Sequence, residues 1–144
     1  MKKLGWSPDI IHCHGWITSL IPMYIKTSYA EHPLFMNSKV VLSVYDDYFS
    51  ESLDDSFARK IKMDGITAQN LKFLKQLNYS CLMAGAISYA DGIIKASEDI
   101  DSDVAHSIKR SGKPVLEYQQ MDEYIDAYAD FYNELMIEDG VLAD

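Results

Sequence analysis

Short, nearly continuous apolar runs that alternate with longer stretches of helical spacing constrain this chain more than any other feature. Asp9-Ile10-Ile11-His12-Cys13-His14, Lys39-Val40-Val41-Leu42-Ser43-Val44-Tyr45 and Ile93-Ile94-Lys95-Ala96 are each too short for a stable helix and rich in β-branched residues. Their apolar residues do not alternate with polar ones, which is the mark of strands buried on both faces, as in a parallel sheet. Pro114-Val115-Leu116-Glu117-Tyr118 is a fourth candidate.

The segments between them read as helices. Ile17, Leu20, Ile21, Tyr24 and Ile25 recur at helical spacing from Trp16 to about Ala30, with Pro22 marking a kink or a late start. The stretch from Ser50 to Ala90 is expected to be helical in two or three pieces, broken near Asp64-Gly65 and Asn78. After the Asp91-Gly92 turn and the third strand, Ser97 is placed to cap a helix, with Glu98 and Asp99 complementing its dipole. Ile100, Val104 and Ile108 form that helix's buried stripe, and Gly112 and Pro114 end it. A last helix sets Tyr124, Tyr128, Phe131, Tyr132 and Leu135 on one face, to dock on the sheet, opposite its carboxylates.

Strand–helix alternation of this kind implies right-handed crossovers. The expected fold is α/β, a partial Rossmann-like layer of about four parallel strands with helices on both faces, doubly wound, in a single partial domain over 1–144. In such sheets ligands bind beyond the carboxyl ends of the strands. The candidate binding residues are therefore His14, Gly15, Trp16, Tyr45, Asp46, Ser97 and Glu117. None is assigned as catalytic.

Charge excludes some partners. All 13 basic residues precede Glu117, and from there on the chain carries nine of its 22 carboxylates and no Lys or Arg. An acidic end without a basic stripe elsewhere repels phosphate backbones, so nucleic acid is not an expected partner. Residues from about 138 to 144 read as an acidic tail. No apolar run approaches the roughly 20 residues that span a bilayer, and Met1 to Trp6 lacks the apolar segment of a signal peptide. Cys13 and Cys81 lack metal or redox spacing and read as free thiols of a cytoplasmic protein. His12 and His14 project from one strand face, but no third ligand accompanies them, so no metal is assigned. His12 is expected as a hydrogen-bonded core residue and His14 at a cleft edge. Asp46 and Asp47 read as capping or loop charges rather than an acid–base pair. There is no G-x-S-x-G, Walker loop or G-x-G-x-x-G, and no cofactor is expected.

Three segments in order carry a resemblance. Pro8-Asp9-Ile10-Ile11-His12-Cys13-His14-Gly15-Trp16, followed by Thr18, Leu20, Pro22 and Tyr24, resembles the Pro-Asp-x-x-His-x-His-Asp-Trp stretch of bacterial glycogen synthases and plant starch synthases (glycosyltransferase family 5). Lys39 to Asp46 is similar to the family's next strand, and Ala86 to Ile94 with Ser97 resembles its later Tyr-Ala-Asp segment. The resemblance runs from about Gly5 to Leu116 and implies part of the N-terminal domain of a two-domain, GT-B type enzyme. Such enzymes transfer glucose from ADP-glucose or UDP-glucose to an α-1,4-glucan, with retention and without a metal.

Residue by residue, the resemblance places Gly15 where the family has a sugar-binding Asp, and Tyr45 where it has a His. Glu117-Tyr118-Gln119-Gln120 stand where an Asn-Gly motif is expected, and the donor-phosphate Lys-x-Gly-Gly-Leu motif and the C-terminal domain have no counterpart. Three readings stay open: a fragment without activity of its own, a non-catalytic relative that binds glucan or a synthase, and a transferase completed by another chain. α-Glucan and nucleotide sugar are the implied ligands. Family strands preceding Asp9 would leave an open sheet edge here, from which homo-oligomerisation is expected.

Overall fold

A computed structural model describes residues 5–54 and 56–137. The proposed acidic tail and the residues before Gly5 lie outside them. Four strands, β1 (Ile10–His14), β2 (Lys39–Val44), β3 (Gly92–Lys95) and β4 (Val115–Leu116), form one parallel sheet in the order β1-β2-β3-β4. His14 pairs with Ser43, Val44 with Lys95, and Ile94 with Leu116. The helices are α1 (Ile21–Lys26), α2 (Phe57–Lys60), α3 (Tyr79–Tyr89), α4 (Ser102–Ser111) and α5 (Tyr124–Ile137).

Strand residues alternate between the two faces, and each face has its own core. Val40, Leu42, Val44, Cys13 and Ile93 pack against Ile25 of α1, Tyr79, Met83, Ala86 and Ile87 of α3, and Val104 and Ile108 of α4. On the opposite face Val41 and Ile94 meet Phe131 and Leu135 of α5, with Tyr128 and Tyr132 packed alongside. The α/β layer with helices on both faces is therefore present. Its strand order runs one way without reversing, so the described strands contain no switch point, and among the described residues α5 alone represents the second helical layer.

Local chemistry fixes where the helices begin. Pro22 sits in the first turn of α1, a late start after a 3-10 turn at Trp16–Thr18. Asn78 caps α3 by accepting from the Cys81 N–H. Ser97 caps nothing. The α4 cap is Asp101, whose carboxylate accepts from the N–H groups of Asp103 and Val104, while the Ser97 hydroxyl accepts from the Asp46 N–H at 3.0 Å. Between β2 and α3 the expected helical pieces shrink to single turns at 57–60 and 72–75. Gly112 ends α4 with φ 66°.

The Asp of the Tyr-Ala-Asp segment lies at the amino end of the sheet. Asp91 accepts from the Val40 N–H at 2.7 Å and pairs with Lys26 of α1 at 2.6 Å, which ties α1, β2 and β3 together away from the strand tips. Both side chains are partly exposed, so the charge itself contributes little. Asp91→Asn, which keeps an acceptor for Val40, is expected to lower stability by less than about 1 kcal/mol in urea denaturation.

Candidate functional site

The parallel pairing carries the four strand tips to one end of the sheet, in a row rather than a closed pocket. At the β1 tip the rings of His12 and His14, which share one strand face, stack with centroids 4.0 Å apart. His14, exposed, places Nδ1 2.9 Å from the Tyr45 hydroxyl beyond β2. His12 lies deeper, with Nε2 2.7 Å from Ser43 Oγ and Nδ1 2.6 Å from the Tyr132 hydroxyl of α5. A neutral imidazole satisfies both hydroxyls, donating to one and accepting from the other. Burial, and secondarily the neighbouring His14, pull the His12 pKa down from 6.5 to about 4. The residue is thus a hydrogen-bonded part of the packed sheet face.

Gly15 continues the ladder, its N–H donating to Ser43 O at 3.0 Å. Its φ of 66° and ψ of −175° belong to glycine. Trp16 is half-buried against the core and meets Phe49 edge-on at 4.9 Å, and Phe49 meets Tyr79 at 5.6 Å. Asp47, in the loop after β2, accepts from the Trp16 N–H at 3.2 Å and from the Tyr79 hydroxyl at 3.2 Å. Burial first, and then the Asp47 carboxylate, push the Tyr79 hydroxyl pKa upward. A cavity of about 590 Å³ opens beside this cluster, lined by Trp16, Tyr48, Phe49 and residues 50–53.

Among the seven sequence-derived candidates, His14 and Tyr45 are in direct contact, Gly15 and Trp16 meet through Asp47, and Asp46 is joined to Ser97. Glu117 stands apart at the β4 tip, where it pairs with Lys95 at 2.8 Å. Three strand spacings separate β1 from β4, or about 14 Å. The sequence reading places Asp47 with Asp46 at the β2 tip as a capping or loop charge, and it leaves Ser43, Tyr132 and the loop aromatics Tyr48 and Phe49 out of the candidate site. The signal for Asp47 was present in the bare glycine after His14, which leaves room for a side chain from elsewhere. Among the described residues no cluster of His, Cys, Asp and Glu could hold a metal ion, and no helix is long and apolar enough to cross a membrane. Cys13 and Cys81 are free, and burial pushes the Cys13 thiol up to about 11.

A one-way parallel sheet with hydroxyl, imidazole and carboxylate groups along its strand tips is a Rossmann-like α/β layer of the kind that binds ligands at its strand tips. The chain belongs to the starch synthase catalytic domain family, whose model matches residues 1–117. It is similar to the glycogen synthase of Clostridium perfringens, at 31% identity over 101 residues, 68% of this chain and 20% of that protein. The Chlorobium luteolum glycogen synthase is 52% identical over 48 residues, 33% of this chain and 10% of the relative. That of Chlorobaculum tepidum is 38% identical over 74 residues, 45% and 15% of the two chains. The chain spans between a tenth and a fifth of the length of these curated relatives.

Proposed function

We propose that this chain is a partial domain forming one side of the cleft in which ADP-glucose or UDP-glucose donates to an α-1,4-glucan, and that alone it does not transfer glucose. The observation that carries the reading is the row of His14, Tyr45, Ser97 and Glu117 at one end of a parallel sheet. Hydroxyls and an exposed imidazole suit sugar hydroxyls. Departure of a nucleoside diphosphate requires cations on its phosphates. Lys95 is a cation at the tips, and Glu117 already holds it. A non-catalytic relative that binds glucan or a synthase is the second reading, favoured by Tyr45 standing against His14 where the resemblance expects another imidazole.

A cytoplasmic location fits the two free thiols. The outer edge of β1 has no strand partner among the described residues, and a second copy could add there. Light scattering that finds only monomer at high concentration would remove that part.

Isothermal titration with maltoheptaose, ADP and UDP, paired with a glucosyl-transfer assay, tests the whole. Maltoheptaose binding without nucleotide binding or transfer is expected. Absence of maltoheptaose binding would overturn the glucan-facing role, and measurable transfer would overturn the inactivity. An effect of the chain on the rate of an added glycogen synthase would favour the second reading.

A further inference from the structure

We propose that Asp47 supplies the carboxylate that residue 15 has no side chain to provide, and that it accepts hydrogen bonds from hydroxyls of a bound glucose unit. This rests on the glucan-facing reading above and names the acidic group within it.

The geometry pairs the two residues. A Cβ built on Gly15 would run into Asp47 Oδ2, and its next neighbours are Asp47 Cγ at 3.6 Å and Tyr45 Cδ2 at 3.8 Å. The carboxylate thus fills the space where a side chain at position 15 would begin, delivered from the loop after β2 instead of from β1. Two donors from different elements hold it there, the Trp16 N–H on Oδ2 and the Tyr79 hydroxyl on Oδ1. A carboxylate offers about four acceptor sites, so two bonds fix its position and leave about half of its capacity unused.

Its surroundings indicate what could use that capacity. Asp47 is half-buried and bonds the backbone N–H of Trp16, and Trp16 lines the neighbouring 590 Å³ cavity together with Tyr48, Phe49 and Ser50 to Leu53. Aromatic surface beside hydroxyls and a fixed acceptor suits a ring with apolar faces and hydroxyl edges. The other tip carboxylates are less suited. Glu117 is paired with Lys95, and Asp46 is exposed, held through its backbone N–H rather than its side chain.

Maltoheptaose titration of the full chain, followed by heteronuclear NMR, tests this. Asp47→Asn keeps the shape and removes the charge, and is expected to weaken binding about tenfold. Tyr79→Phe removes one bond that holds Asp47 but leaves the carboxylate, and is expected to lower the unfolding midpoint while changing affinity less than about threefold. Equal affinities for wild type and Asp47→Asn would overturn the inference and leave the glucan reading standing. If the wild type binds no maltoheptaose, the glucan reading itself falls. The pairing has a separate readout in stability, should Asp47→Asn fail to fold. Gly15→Ala is expected to lower the midpoint by several degrees, and by clearly less when Asp47 is also replaced by glycine. Equal losses in the two backgrounds would overturn the pairing.

Discussion

Truncation of Phe131 to alanine is expected to lower the stability of the fold by about 3–5 kcal/mol, the range for deleting a buried aromatic ring. Phe131 is the main anchor of α5. It is 5% exposed and packs with Val41, Ile94 and Leu135. The ring sits close to the sheet because β3 opens with a glycine. A Cβ on Gly92 would lie 3.0 Å from Phe131 Cζ and 2.7 Å from Leu135 Cδ1. Losing the ring leaves a void that a strand cannot collapse into without breaking its ladder. A domain of this size has about 5–15 kcal/mol in total, so the loss removes a large share of it. Urea denaturation gives the magnitude, and amide hydrogen exchange locates it. Protection should fall first in α5, while α3, buried against the opposite face, holds longer. Uniform loss of protection across both faces would show that α5 is not a separate layer.

The strands were legible because β-branched runs buried on both faces leave little alternative, and the paired elements match the expected ones to within a residue or two at most ends. The docking of α5 was legible for the same reason, since Phe131 and Leu135 fall on its apolar stripe. What failed was the choice between local options of similar strength. Ser97-Glu98-Asp99 and Asp101-Ser102-Asp103 both look like helix starts. The decision was tertiary, because the Ser97 hydroxyl is taken by the Asp46 N–H one strand away. The segment from 50 to 78 failed differently. The Thr67 and Asn70 side chains bond each other and accept from each other's backbone N–H, and Leu53 N–H reaches Leu77 O, so local turns outcompete helices too short to nucleate alone.

The candidate site shows the same division. His14 and Tyr45 were legible as strand ends, and the pairing of His14 with Ser43 brings them together. The contact of Asp47 with Gly15 depends on the path of a loop that sequence spacing does not specify. The bare glycine read as the loss of a carboxylate, whereas the structure places one in the adjoining space from the loop after the next strand.

Acid should weaken the fold through His12. In the unfolded chain its imidazole takes up a proton near the ordinary value of 6.5, whereas in the folded chain it does so only near pH 4. Between those values the unfolded state binds more protons, so stability declines as pH falls through that window and levels off once both states are charged. The neighbours explain the direction. His14 stacks on the ring, and the groups facing it from β2 and α5 are the hydroxyls of Ser43 and Tyr132 and the ring of Tyr128, which offer no negative charge to an imidazolium. Protonation also removes the acceptor from a ring held between two hydroxyls. The ring is only partly buried, and after a discount for solvent the loss amounts to about 1–2 kcal/mol. His12→Gln keeps polar contacts and cannot titrate. Its stability at pH 7 should be lower than that of the wild type, and its further loss between pH 7 and pH 4.5 clearly smaller. If urea midpoints of the two proteins fall in parallel over that interval, the acid response belongs to the carboxylates and not to this ring.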